Sequence, residues 1–128
     1  MSIYVETSPG ELLDKISILE IKMERMHDEE KLRNVRIELD ALKEAGRGEI
    51  VSSPELNDLF DRLKSVNEEL WDIEDEIRVC ERKMDFGKTF VRLSRGVYHS
   101  NDRRSGLKRR INELLGTRIM EEKSYAPY

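Results

Sequence analysis

The chain has 128 residues, with 23 Lys and Arg against 27 Asp and Glu, a formal charge of −4, and 39% of its residues charged. That length suits one domain with one hydrophobic core, and no apolar run approaches the ~20 residues a membrane-spanning helix needs. One cysteine excludes an internal disulfide and fits a reducing compartment, so a cytoplasmic protein is expected.

The opening MSIYVETSPG has neither a basic region nor an apolar stretch, so no secretory signal is expected there. The first predicted helix covers about 8–27. Ser8 supplies an N-cap, Pro9 suits the first helical position, and Glu11 completes a Ser-x-x-Glu capping box. Leu12, Ile16, Leu19, Met23 and Met26 then repeat at alternating spacings of four and three, a heptad stripe. The stripe breaks near His27 and resumes at Leu32, Val35, Leu39 and Leu42, which predicts a second helix over 28–46 with Asp28 as its cap. No Gly or Pro enforces the break, so one kinked helix is the alternative.

Ser53-Pro54 repeats the cap-plus-proline start and predicts a third helix over 53–85. Its stripe runs through Leu63, Val66, Leu70, Ile73, Ile77, Cys80 and Met84. After a tight connection at Asp85-Phe86-Gly87 the stripe resumes at Phe90, Leu93, Val97, Leu107, Ile111 and Leu114, predicting a fourth helix over 87–115. Ser100 and Arg104 are polar members of that seam. Gly116 ends the run, and the tail 116–128 is too short for a core of its own. Helices of ~30 residues joined by a short turn lie antiparallel and span ~45 Å. The expectation is an all-α bundle, one helical domain over 1–128, built on a long antiparallel coiled-coil hairpin.

Four stretches, SPGELLDKISILEIK, VNEELWDIEDEIR, VYHSNDRRSGLKRRIN and EEKSYAPY, together resemble a family of small bacterial proteins known only as a domain of unknown function. The resemblance covers nearly the whole chain. It implies a discrete single-domain protein and lends no activity, cofactor or residue role.

Several patterns invite chemistry, and each has a plainer explanation. Glu24-x-x-His27 is half of a helical di-iron motif, but the other histidine, His99, has Gly96 where its glutamate would stand. Glu69-x-x-Asp72 has the spacing of a Mg²⁺-binding carboxylate pair, yet 27 acids produce such spacings by chance. Cys80 sits on the apolar stripe between Ile77 and Met84, where cysteine is inert packing. No catalytic residues, metal or cofactor are expected.

Two groupings stand out if the hairpin turns near residue 86. A polar band then gathers Asn67, Trp71 and Glu74 opposite Ser105, Asn101 and Tyr98. This is either a register-setting polar layer, as buried Asn provides in coiled coils, or a small-ligand pocket. The charges divide unevenly as well: residues 1–86 hold 13 basic and 23 acidic side chains, a net −10, and residues 87–128 hold 10 and 4, a net +6. On the same register Arg103 and Arg104 face Glu69 and Glu68. Lys108, Arg109 and Arg110 instead face Lys64, Leu63 and Arg62. Arg62, Lys64, Lys108, Arg109 and Arg110 are therefore the candidate anion-binding residues, for an acidic partner or a phosphorylated ligand. Aromatics interleaved with basic residues, the mark of single-strand binders, are absent here, which argues against nucleic acid.

The sequence thus reads as a non-enzymatic helical interaction or scaffold protein, covering its open seams by forming a homodimer. The alternative is a small-ligand or phosphate-anion binding protein, or an enzyme, using the basic end and the Trp71/Asn101 band.

Overall fold

A computed structural model describes residues 1–128. The chain is all-α, with α1 Pro9–Arg25, α2 Glu29–Gly46, α3 Pro54–Arg82 and α4 Lys88–Leu115. Three of the four starts carry a side-chain cap, and Gly87 at the head of α4 makes none. Ser8 Oγ accepts from the Glu11 amide at 3.2 Å, Asp28 Oδ1 from the Lys31 amide at 3.0 Å, and Ser53 Oγ from the Leu56 amide at 3.1 Å. The Glu11 side chain does not close the capping box; it reaches α4 instead. Extended backbone at Met26 and Asp28 separates α1 from α2, which excludes the single kinked helix. α4 ends at Gly116, whose φ of 78° glycine adopts without cost.

The helices pack in two layers of contact around α1. α1 touches α2, α3 and α4, and α3 touches α4. α2 packs against α1 alone among the helix pairs. On one side Leu12, Ile16 and Leu19 of α1 bury Val35 and Leu39 of α2. On the other, Leu56, Leu59, Leu63 and Val66 of α3 bury Leu107 and Ile111 of α4. α3 and α4 run antiparallel, since Arg103 meets Glu69 while Gly96 lies against Ile73.

α1 ends at Arg25, which reaches Asp72 at 2.5 Å. Residues 73–82 of α3 and the start of α4 project past that point, by ~15 Å at 1.5 Å per residue. In this projection Cys80 and Leu93 are buried, while Ile73, Ile77, Phe90 and Val97 are only half-buried. Met84 departs from the expected seam. α3 stops at Arg82, and Met84 caps the turn with φ 56° and 72% of its surface exposed. The stripe's spacing continued through it, but the helix did not.

Candidate functional site

α1 carries a second heptad line beside its apolar one: Gly10, Asp14, Ser17 and Ile21, all buried. This line faces α3 and α4. Gly10 permits a close approach of α1 to α4, since a Cβ there would lie 2.5 Å from the Lys108 carbonyl oxygen. Its amide donates to Asn112 Oδ1 at 2.7 Å, a sequence separation of 102 residues.

Asp14 is 1% exposed. Arg104 grips it with two parallel hydrogen bonds, Nε to Oδ1 at 2.9 Å and Nη2 to Oδ2 at 2.6 Å, the geometry that gives an arginine–carboxylate pair its strength. Asn67 Nδ2 adds a bond to Asp14 Oδ1 at 2.9 Å and another to Ser17 Oγ at 2.8 Å. The Ser17 hydroxyl in turn donates to the Asp14 carbonyl at 2.7 Å. One turn further along α4, Lys108 Nζ lies 3.0 Å from Glu11 and 2.6 Å from Glu121 in the C-terminal tail. The hydrogen bond to Asp14 raises the Arg104 pKa above its ordinary value, against the pull of burial. Burial pulls the Lys108 pKa down, but Glu121 and Glu11 outweigh it, so the net shift is upward. No buried polar side-chain atom lacks a partner.

Asn67, Trp71, Glu74 and Asn101 of the expected polar band line one cleft of ≈ 490 Å³, together with Ile18, Leu70, Asp75, Arg78 and Arg104. Arg25 stands over the Trp71 ring, 5.9 Å from its centroid. Tyr98 joins a different group. Its ring lies 4.9 Å from His99 and 5.4 Å from Tyr128, whose hydroxyl donates to Asp102. Ser105 is half-buried and makes no side-chain hydrogen bond.

The candidate anion-binding residues are dispersed. Lys64 pairs with Glu20 at 3.4 Å and with Glu24, both on α1. Lys108 turns into the polar layer, and Arg109 pairs with Glu113 and Glu122 at 3.4 Å each. Arg62 holds Asp58 one turn back at 2.9 Å. Arg110 has no ion-pair partner, and with Arg62 and Arg103 it lines a groove of ≈ 570 Å³ between α3 and α4. Arg103 meets Glu69 as the hairpin register requires, but Arg104 turns to Asp14 instead of Glu68. Glu68 lies 3.8 Å from Arg25 instead. Of the metal-like motifs, Glu24 holds Lys64, Asp72 holds Arg25 and His27 is exposed.

Sequence reasoning missed Asp14, Ser17 and Gly10. The signal was there, in a small-and-polar line running beside the apolar stripe of α1 at the same spacing.

Fold and site together define a small helical bundle with a mutually hydrogen-bonded polar layer at its centre. The chain belongs to the family described as "Family of unknown function (DUF6165)", which it matches over residues 3–128. No curated protein and no solved structure matches it.

Proposed function

We propose that this is a non-enzymatic helical interaction protein of the cytoplasm that associates with a second copy of itself through the α3–α4 hairpin, the seams pairing as a coiled coil. One observation carries the reading. Past the end of α1 the seam residues Ile73, Ile77, Phe90 and Val97 are left half-buried at the 3-and-4 spacing with which helices pair. A third and fourth helix would cover them, and a second hairpin supplies both. The polar layer supports a structural role for the centre, because its groups satisfy one another and need no ligand.

A second reading, binding of a phosphorylated or otherwise anionic small ligand, rests on the groove in which Arg62, Arg103 and Arg110 converge with Arg110 unpaired. One experiment separates the two. Sedimentation velocity over a concentration series should show a monomer passing to a dimer, and inorganic pyrophosphate at low salt should leave the melting temperature unmoved. A chain that stays monomeric and gains several degrees with pyrophosphate supports the ligand reading instead.

A further inference from the structure

The apex of the hairpin breaks two local rules at one residue. Met84 takes a left-handed φ of 56°, where glycine is the usual residue, and leaves an apolar side chain 72% exposed. Glycine would remove both costs, so folding alone gives no reason for methionine. Beside it Phe86 and Val91 are 46% and 52% exposed, and Phe86 packs edge-on against Phe90 with centroids 5.2 Å apart. Four cations flank this patch, Arg82, Lys83, Lys88 and Arg92, and none has an ion-pair partner in the chain. The one acid among them, Asp85, is taken up by the Gly87 amide at 3.1 Å.

The complement lies on the same hairpin. From Glu68 to Glu76, α3 carries six acidic residues and no basic one. Glu68 and Asp72 pair with Arg25, Glu69 with Arg103 and Glu74 with Arg78, which leaves Asp75 and Glu76 without an ion-pair partner. Asp75 lines the cleft whose apolar walls are Trp71, Leu70 and Ile18, and the two arginines that also line it are already engaged, Arg78 by Glu74 and Arg104 by Asp14. The apex cannot reach its own cleft, because ~14–20 Å of continuous helix separates Met84 from Asp75 and Trp71. Nor can two apexes meet tip to tip, since four unpaired cations from each would then face one another.

The geometry points to a reciprocal dimer in which Met84 and Phe86 of one copy enter the Trp71 cleft of the other, with Lys88 beside Asp75. This deepens the self-association reading and rests on it. A two-fold axis crossing the hairpin midway between cleft and apex seats both apexes at once, with the hairpins antiparallel and overlapping by ~20 Å. The contact is isologous, so it closes as a dimer and does not propagate into a filament. Methionine sulfur is a favourable neighbour for an indole ring, beside the Arg25 guanidinium that already stands over it. The half-buried seam residues between cleft and apex fall within the overlap.

Trp71 is the only tryptophan, so its emission reports the cleft directly. In the full-length protein its emission should shift to the blue as sedimentation shows the dimer forming. Met84→Gly should raise the melting temperature of the monomer yet weaken association by ~10-fold or more and abolish the shift. A merely structural Met84 predicts the opposite change in stability. Lys88→Glu and Asp75→Lys should each weaken association, and the two combined in one chain should restore it. Dimerisation that survives Met84→Gly and ignores both charge reversals overturns this interface while leaving self-association standing. A wild-type chain that stays monomeric throughout overturns both. A monomer whose Trp71 emission is unchanged, but which sediments with vesicles containing anionic lipid, assigns the apex to a lipid surface and overturns the dimer.

Discussion

Asp14 is the residue on which the centre of the molecule turns. A carboxylate 1% exposed is tolerable only because Arg104 binds both oxygens and Asn67 a third time. The two partners are not equivalent, since Arg104 keeps 28% of its side chain in contact with solvent and Asp14 keeps almost none. Arg104→Ala should therefore strand a buried charge and cost about 3–5 kcal/mol, most of the stability of a small domain. Urea denaturation followed by circular dichroism measures it. Replacing both residues together by apolar ones of similar volume should recover most of the loss; a single-variant cost below ~1 kcal/mol would mean that the pair behaves like an exposed one. At the other end of the molecule, Met84 carries a left-handed penalty of ~1–2 kcal/mol with no packing in return.

Among the elements, α2 is the least anchored. It buries only Val35 and Leu39, both against α1, and Ile37 on its outer side is 69% exposed. α3 and α4 share the apolar cluster around Leu63 and Ile111, and both reach Asp14 in the polar layer. Helices with little burial open at lower free energy than the global transition. Amides of α2 should therefore exchange with deuterium well before those at Leu63 and Ile111, and Leu39→Ala should hasten α2 exchange while leaving that core slow. Equal protection of all four helices would show that the bundle opens as one unit. The helix starts were legible because each depends on a residue and its near neighbours: Ser8, Asp28 and Ser53 each cap an amide three positions on. The end of α3 was not, because apolar spacing persists through Met84 while the backbone has already turned.

Across the whole molecule, folding pairs part of the basic last segment with acids of the first. Arg104 meets Asp14, Lys108 meets Glu11, Arg103 meets Glu69 and Arg118 meets Glu6. Two of the lysines joining helices and tail give this a pH signature. The Lys64 pKa is raised, chiefly by its hydrogen bond to Glu24, and that of Lys108 is raised by Glu121 and Glu11 despite burial. A base held more tightly folded than unfolded stabilises fully below its unfolded pKa, ~10.4 for lysine, and loses that contribution as pH rises through the folded value. The urea midpoint should fall above pH ~10, and more steeply in the wild type than in a Lys64→Gln, Lys108→Gln variant. Parallel curves for the two proteins would show that these pairs contribute nothing to stability.

The sequence by itself determined the all-α class and the caps at Ser8, Asp28 and Ser53, because heptad spacing and capping act within a turn or two of the chain, and it left α1 and α2 open between two helices and one kinked helix. It also brought Asn67, Trp71, Glu74 and Asn101 to one place, since a short turn forces α3 and α4 together. What it could not determine is how α1 enters. The facing rule that pairs Arg104 with Glu68 describes two helices, and in the bundle a third competes for the same side chains. α1 approaches closely at Gly10, presents Asp14 to Arg104 and Glu11 to Lys108, and brings Glu20 and Glu24 to Lys64. Spacing along one helix fixes which residues share a face. Which charge a residue finally meets is decided by the element that packs there, and that is a property of the tertiary structure alone.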